Sequence, residues 1–336
     1  VLEIQARILK VHPEHTFTIA RGSADEFSNV VLTLREDRHA GYGLAAPSER
    51  YGQDADSALA ALEGVEVKDP WNIRGTLRAN AHLPSSALSA LDAALHDLAA
   101  SRLGVPVYRM LGLGRPRTTT AYTLGIDDLE TTLERARGLS RYPIFKVKVG
   151  GERDIETVRA VVRETGAEIW VDANEAFSPD EAPEAARELA AAGVAVIEQP
   201  VPASAGPGTF GAVSEAAGSV PVIADESILV AADVPPLAGY ADGVNVKLSK
   251  CGGIRGALEI IHTARAHGMK VMLGCMVEAS LGISAAAQVS GLVDYVDLDG
   301  ALLLADDPFT GLGYEGAELL VPDGPGLGVE PVLGSS

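Results

Sequence analysis

Ionisable residues recur at the ends of short apolar runs in the second half of the chain. Lys146 and Lys148 close IFKVKVG, Asp172 closes EIWVDAN, Glu198 closes VAVIEQP, Asp225 closes PVIADES, Lys247 closes GVNVKLS, and Asp297 with Asp299 closes DYVDLDG. Asp172, Glu198 and Asp225 offer a hard, all-oxygen ligand set. It suits Mg²⁺, with Mn²⁺ as the alternative, and leaves positions open for a bidentate substrate carboxylate. A lone acid at a strand end serves a neighbouring helix as readily as a metal; three in register point to the ion. Lys146 and Lys148 stand two apart on one strand and so project to the same side. Two close ammonium groups, partly buried, raise each other's cost of being charged, so one can approach neutrality and act as a base near pH 7.

The elements that carry these residues repeat one plan from about Thr118 onward: a short apolar strand, a loop, then an Ala-rich helical stretch. TTTAYTL and KVMLGCM complete a set of eight strands. Eight such units without a Gly-rich nucleotide fingerprint after the first strand predict a closed (β/α) barrel rather than an open doubly wound sheet. In a barrel the strand ends share one face, so the residues above converge. Lys247 then lies about four strands round from Lys148 and approaches from the opposite side. A proton removed by one of these lysines and returned by the other inverts a stereocentre.

Local signals are clearest after the third strand. Ser178-Pro179-Asp180-Glu181 reads as an N-cap, an N1 proline and a capping-box glutamate, and the helix that follows ends at Gly193. PASAGPGTFGAVSEAAG, rich in Gly and Pro, predicts a short or irregular fourth helix. Before Thr118 the texture changes to alternating strand-like segments, a loop at Arg21 to Asn29 and a long helix from Ser85 to about Leu103, an α+β domain. The Gly/Pro-rich tail after Gly313 is too short to fold alone and is expected to pack back on that domain.

Composition bounds the function. The 336 residues are 47% hydrophobic and 22% charged, without the long apolar run of a membrane span. A formal charge of −19 argues against nucleic acid as a partner, which requires basic patches. Two cysteines, Cys251 and Cys275, make neither a disulfide scaffold nor a zinc site and suit a reducing compartment. No export signal is visible in the strand-like VLEIQARILKV, so a cytoplasmic location is the expectation. Oligomeric state is left open, a homo-oligomer included.

FKVKVG, WVDANEAF, VIEQPV, IADES, NVKLSKCGG and GCMVEASLGISAAA, together with ALHDLAASRLGVPVYRMLG, resemble the muconate lactonizing enzyme subgroup of the enolase superfamily over nearly the whole chain. The resemblance implies a modified (β/α)₇β, TIM-like barrel over residues 116–313. It also implies an α+β capping domain over residues 1–115, completed by 314–336. It implies an isomerase in which a lysine abstracts an α-proton and a metal stabilises the resulting enediolate. DLDGALLL is similar to the same segment of the dipeptide epimerases, which implies that Asp297 and Asp299 bind the free ammonium of a small dipeptide substrate. FTIARGSADEF and SERYGQD are similar to enzymes that epimerise L-Ala-D/L-Glu, which implies that Arg21 pairs with the acidic side chain. Thr123, Lys146 on the substrate carboxylate, Cys275 and Val277 complete the implied substrate contacts.

Other reactions of the same scaffold compete: muconate cycloisomerisation, o-succinylbenzoate synthesis and N-succinylamino acid racemisation. Asp297-x-Asp299 separates them, because a free ammonium wants two carboxylates nearby and an anionic or acylated substrate does not. A catalytically silent ligand-binding barrel is the reading from another class. Gly43-Leu44 departs from the Gly-Glu common in relatives and removes a carboxylate near the capping loop.

Overall fold

A computed structural model describes residues 1–151 and 153–332. The amino-terminal region opens with a three-stranded antiparallel sheet in which Phe27–Glu36 lies between Glu3–Val11 and His39–Ala45. Helices Ala55–Glu63, Ile73–Ala79, Ser85–Leu103 and the single turn Val107–Met110 follow, the third with the bounds its sequence predicts. Gly104, at φ 68°, ends it with the left-handed turn that glycine adopts at little cost. The middle of this helix is buried on every side, because the cap sheet covers one flank and the barrel the other. Gly41 and Gly43 make the first contact possible: a β-carbon there would stand 2.2 Å from the Ala94 carbonyl oxygen and 1.9 Å from that of Ala90.

Eight parallel strands pair in consecutive order: Tyr122–Leu124, Ile144–Lys148, Glu168–Asp172, Val196–Glu198, Val222–Ala224, Gly243–Val246, Lys270–Gly274 and Tyr295–Asp297. The ring is nearly closed by the Ala121 amide, which donates to the Val296 carbonyl at 3.0 Å, and by the Leu298 amide on Thr120 Oγ1 at 2.8 Å. Helices Leu129–Gly138, Asp154–Thr165, Ala182–Ala192, Pro207–Ala217, Val234–Leu237, Ile254–Ala266 and Ser280–Ala287 fill the seven crossovers, giving the (β/α)₇β barrel. Among the described residues, no helix is long and apolar enough to cross a membrane.

Three local expectations need correction. The stretch Arg21 to Asn29 is not a plain loop: Phe17–Ile19 and Gly22–Ala24 form a hairpin, and the next strand starts at Phe27. Gly22, at φ 147°, lets the chain reverse there, and the polar residues around it conceal the strand. The fourth crossover helix, Pro207–Ala217, is a full three turns. Its proline sits in the first turn, where a missing N–H costs nothing. At Ser178 the reciprocal hydrogen bonds with Glu181 do form, but they shape a turn, and the α-helix begins one turn later at Ala182 with Pro183 in its first turn.

The tail contacts both parts of the molecule. Gly326 exchanges backbone hydrogen bonds with Val105 and Val107, Ser284 Oγ donates to the Leu327 carbonyl, and Tyr108 Oη donates to Asp323. Asp97 is the knot: Oδ2 accepts the Tyr42 amide and Oδ1 the Leu327 amide, both at 2.7 Å. Burial pushes its carboxyl up to about 7 despite those donors. A folded-state value above the ordinary one means that the native protein holds an extra proton between about pH 4 and 7. That stabilisation is present at low pH and is lost as pH rises through about 7. The Asp97→Asn variant is expected to leave one amide facing an NH₂ group, lose about 1–3 kcal/mol, and show a flatter fall in thermal midpoint between about pH 4 and pH 7. An unchanged midpoint and slope would rule this out.

Candidate active site

The two-residue period of the strands builds the site in layers. Ala121, Trp170, Val196, Ile223 and Met272 form an apolar cluster of their own inside the barrel, with Ile144 and Tyr295 packed against it. Two residues further along those strands stand Thr123, Asp172, Glu198, Asp225, Gly274, Lys146 and Asp297. The apolar layer closes the floor, and the charged layer sits above it at the carboxyl ends of the strands.

Asp172, Glu198 and Asp225 are fully buried, and each offers an oxygen within 4.8 Å of the other two. Asp172 lies directly opposite Glu198 in the parallel register. This donor set fits a hard divalent cation. Their charges are felt: burial first, then Asp172, pushes the Glu198 carboxyl up to about 7. Burial also acts against Asp172 and Asp225, but Lys148 and Lys146 outweigh it at the former, and Lys247 and Lys250 at the latter, holding both carboxyls well below the usual range.

Lys148 and Lys247 bond to two different members of this set. Lys148 Nζ donates to Asp172 Oδ2 at 2.5 Å, and Lys247 Nζ to Asp225 Oδ2 at 2.8 Å. Gly274 leaves room for the second lysine, since a β-carbon there would stand 3.1 Å from Lys247 Cε. Lys146 lies deeper. Its Nζ is 2.6 Å from Asp297 Oδ2, 2.7 Å from Glu198 Oε2 and 3.3 Å from Asp172 Oδ2. Burial works to lower the Lys146 and Lys247 ammonium groups, but the carboxylates around each prevail and hold both well above the usual lysine value. The drift of a crowded lysine toward neutrality therefore does not occur at Lys146, because three carboxylates surround it.

Asp297 and Asp299 are both buried beside the eighth strand end. Asp299 Oδ2 accepts the Thr123 amide at 2.6 Å, and Cys275 Sγ lies 4.0 Å from Asp299 Oδ1. Asp297 Oδ1 is buried and has no hydrogen-bond partner among the described residues. Burial, then Asp297, pushes the Asp299 carboxyl up to about 7. An unpaired buried acceptor next to a second carboxyl is a costly arrangement that a cationic group would relieve. Val277, also buried, lies two residues past Cys275 in the bend that follows the seventh strand.

Arg21 stands apart from the strand-end residues. It reaches over the barrel mouth from the turn of the cap hairpin, 2.9 Å from Glu226 Oε1 and 3.4 Å from Glu175 Oε2, and donates to the Asn174 carbonyl at 3.0 Å. Arg50, from the short turn Glu49–Tyr51, grips Glu175 with two hydrogen bonds of 2.6 and 2.7 Å. Tyr51 follows it into the site, where burial and then the nearby Asp225 charge raise its hydroxyl far above the usual value.

Several participants escape the sequence reading. Lys250 Nζ, buried, donates to both Asp225 Oδ1 and the Asp225 carbonyl, and to the Asn245 carbonyl at 3.1 Å. Asn245 Nδ2 in turn orients Glu198 Oε1 at 2.7 Å. Both lie within NVKLSK, and their spacing of two before and three after Lys247 was the available signal. Glu226 follows Asp225 directly in IADES. Glu278 is buried beside the seventh strand, its carboxyl pushed up to about 7 by that burial. Nothing in the spacing singles out Glu175 or Arg50.

Residues 3–112 match the model of the mandelate racemase / muconate lactonizing enzyme N-terminal domain, and residues 128–333 that of the enolase C-terminal domain-like family. An L-Ala-D/L-amino acid epimerase of Maribacter sp. is 36% identical over 326 residues, covering 94% of this chain and 96% of the relative. A hydrophobic dipeptide epimerase of Roseobacter litoralis is 37% identical over 333 residues, covering 92% and 93%. The crystal structure of a dipeptide epimerase from Enterococcus faecalis, complexed with Mg and the dipeptide L-Leu-L-Tyr, superposes with a TM-score of 0.91 at 28% identity, covering 97% of this chain and 98% of that one. With both domain models matched along the chain and epimerases among its relatives, the protein is an isomerase that belongs to the mandelate racemase / muconate lactonizing enzyme family of the enolase superfamily.

Proposed function

We propose that the protein is a Mg²⁺-dependent dipeptide epimerase that inverts the α-carbon of the carboxyl-terminal residue by moving a proton between Lys148 and Lys247. The observation that carries the dipeptide reading is the buried Asp297 and Asp299 pair with its unpartnered Asp297 Oδ1. A substrate ammonium satisfies that oxygen, whereas an acylated or anionic substrate adds repulsion. Asp172, Glu198 and Asp225 would hold the metal, which would supply Lewis-acid charge toward the substrate carboxylate.

The chain's own residues then divide the work. Lys148 and Lys247, anchored to different carboxylates at opposite sides of the set, hold or take the α-proton from opposite faces. Lys146 stays charged and offsets negative charge that develops on the substrate carboxylate. Thr123 positions Asp299 through its amide, Cys275 lies beside the same carboxyl, and Val277 adds a buried apolar side chain past the seventh strand. Arg21 is the residue that would read an acidic side chain, as in an L-Ala-D/L-Glu substrate. Its guanidinium already faces Glu226 and Glu175, so the geometry supports dipeptide epimerisation more strongly than a demand for glutamate.

The test is incubation with Mg²⁺ and a mixed dipeptide panel in D₂O. Mass spectrometry is expected to find members that gain one deuterium at the α-carbon, and chelation of the metal is expected to stop the exchange. Exchange confined to N-succinylamino acids, with none in any dipeptide, would replace this reading with the racemase one.

A further inference from the structure

Glu175 occupies a position that the proton-transfer chemistry does not require. It follows Asn174 in the loop after the third barrel strand, and both residues adopt left-handed backbone, with φ of 71° and 45°. Non-glycine residues pay for that conformation unless surrounding contacts hold it. Here they do. The Glu175 amide donates to the Gln199 carbonyl at 2.9 Å, and Oε1 accepts the Ala203 amide at 2.8 Å as well as Arg50 Nη2. Oε2 accepts Arg50 Nε at 2.6 Å and Arg21 Nη1 at 3.4 Å. One carboxylate thus ties two separate cap segments, the hairpin turn carrying Arg21 and the Glu49–Tyr51 turn, to the barrel. The side chain is only 12% exposed, so little water screens these contacts. Burial alone would raise its carboxyl, but Arg50, Ala203 and Arg21 prevail and hold it below the usual range.

Charge at the mouth is consequently balanced. Arg50 is spent on Glu175, and Arg21 is shared between Glu175 and Glu226. An acidic substrate side chain that reaches Arg21 meets two carboxylates already there. A neutral side chain of the same shape meets no such repulsion.

We infer that Glu175 is a specificity-determining positioning residue, which latches the two cap segments over the site and neutralises their arginines so that the enzyme favours uncharged over acidic side chains at the epimerised residue. The inference rests on the dipeptide epimerase reading. It is tested with the isosteric pair L-Ala-L-Gln and L-Ala-L-Glu in the Mg²⁺-loaded protein, comparing kcat/KM for α-deuterium exchange. The wild type is expected to favour the glutamine dipeptide. Glu175→Gln, which keeps the shape and removes the charge, is expected to shift the ratio about tenfold toward the glutamate dipeptide. Adding Arg21→Gln to that variant is expected to erase the shift, whereas Arg21→Gln alone, which leaves the carboxylates in excess, is expected to move the ratio further toward the glutamine dipeptide. A loss of packing alone would lower both rates together and leave the ratio in place. A wild-type preference for L-Ala-L-Glu, which needs no variant to measure, would overturn the inference, as would a ratio unmoved by Glu175→Gln. Exchange of neither dipeptide by the wild type, with none in the wider panel, would instead remove the functional reading beneath it.

Discussion

The Lys148→Ala variant is expected to lose inversion by at least about 10³-fold while retaining α-deuterium exchange on one stereoisomer. The asymmetry follows from the geometry. Lys148 hangs from Asp172 and Lys247 from Asp225, on strands that stand four apart around the ring, so each reaches one face of a substrate between them. Without Lys148 the surviving lysine can remove and replace the proton on its own face, and solvent deuterium enters there without inversion. Lys247→Ala is expected to give the mirror result. Exchange measured separately on the two stereoisomers distinguishes this from a collapsed site, in which both rates fall alike. If both isomers exchange at wild-type rates in the Lys148→Ala protein, proton transfer by this pair is wrong.

Asp225→Asn is the second large effect, and it acts on stability as well as turnover. Asp225 receives Lys247 on one oxygen and Lys250 on the other, and Lys250 also bonds to its main-chain carbonyl. The substitution keeps the shape but leaves two buried ammonium groups short of a charge, a change that costs about 3–5 kcal/mol in comparable buried pairs. It also removes one of three oxygens proposed to hold the metal. Turnover is expected to fall by more than about 10³-fold and the metal-free thermal midpoint to drop together. A variant that retains metal-dependent exchange within tenfold of wild type would remove Asp225 from the ligand set.

How much of this was legible beforehand depended on which physical rule governed each residue. The eight barrel strands were readable because they are brief apolar runs, six of which end in a charged residue or run directly into one, and the helix Ser85–Leu103 because glycine punctuates its end. The charged layer followed from the same period, since strand ends in a barrel must converge. Lys250 was hidden because it lies past its strand, on the short helix Leu248–Cys251, and folds back to Asp225. The hairpin at Phe17–Ala24 was hidden because its strands are three residues long and half exposed, with too little alternation to register. The state of Lys146 was misjudged for a different reason. Crowding two ammonium groups lowers their proton affinity only when carboxylates do not outnumber them, and around Lys146 they do. Arg50 and Glu175 meet across 125 residues of sequence, a pairing that local pattern cannot disclose.

The knot at Asp97 also bears on the order in which the molecule can be completed during synthesis. Tyr42 and Asp97 leave the ribosome early, but the Leu327 amide that shares the same carboxylate emerges only after all eight barrel strands. Until then one oxygen of a buried acid waits without its donor, and the nascent cap is held by its own sheet and helices alone. The barrel must therefore be translated in full before this knot is tied, so a stall between the eighth barrel strand and Leu327 would leave the amino-terminal unit unsealed.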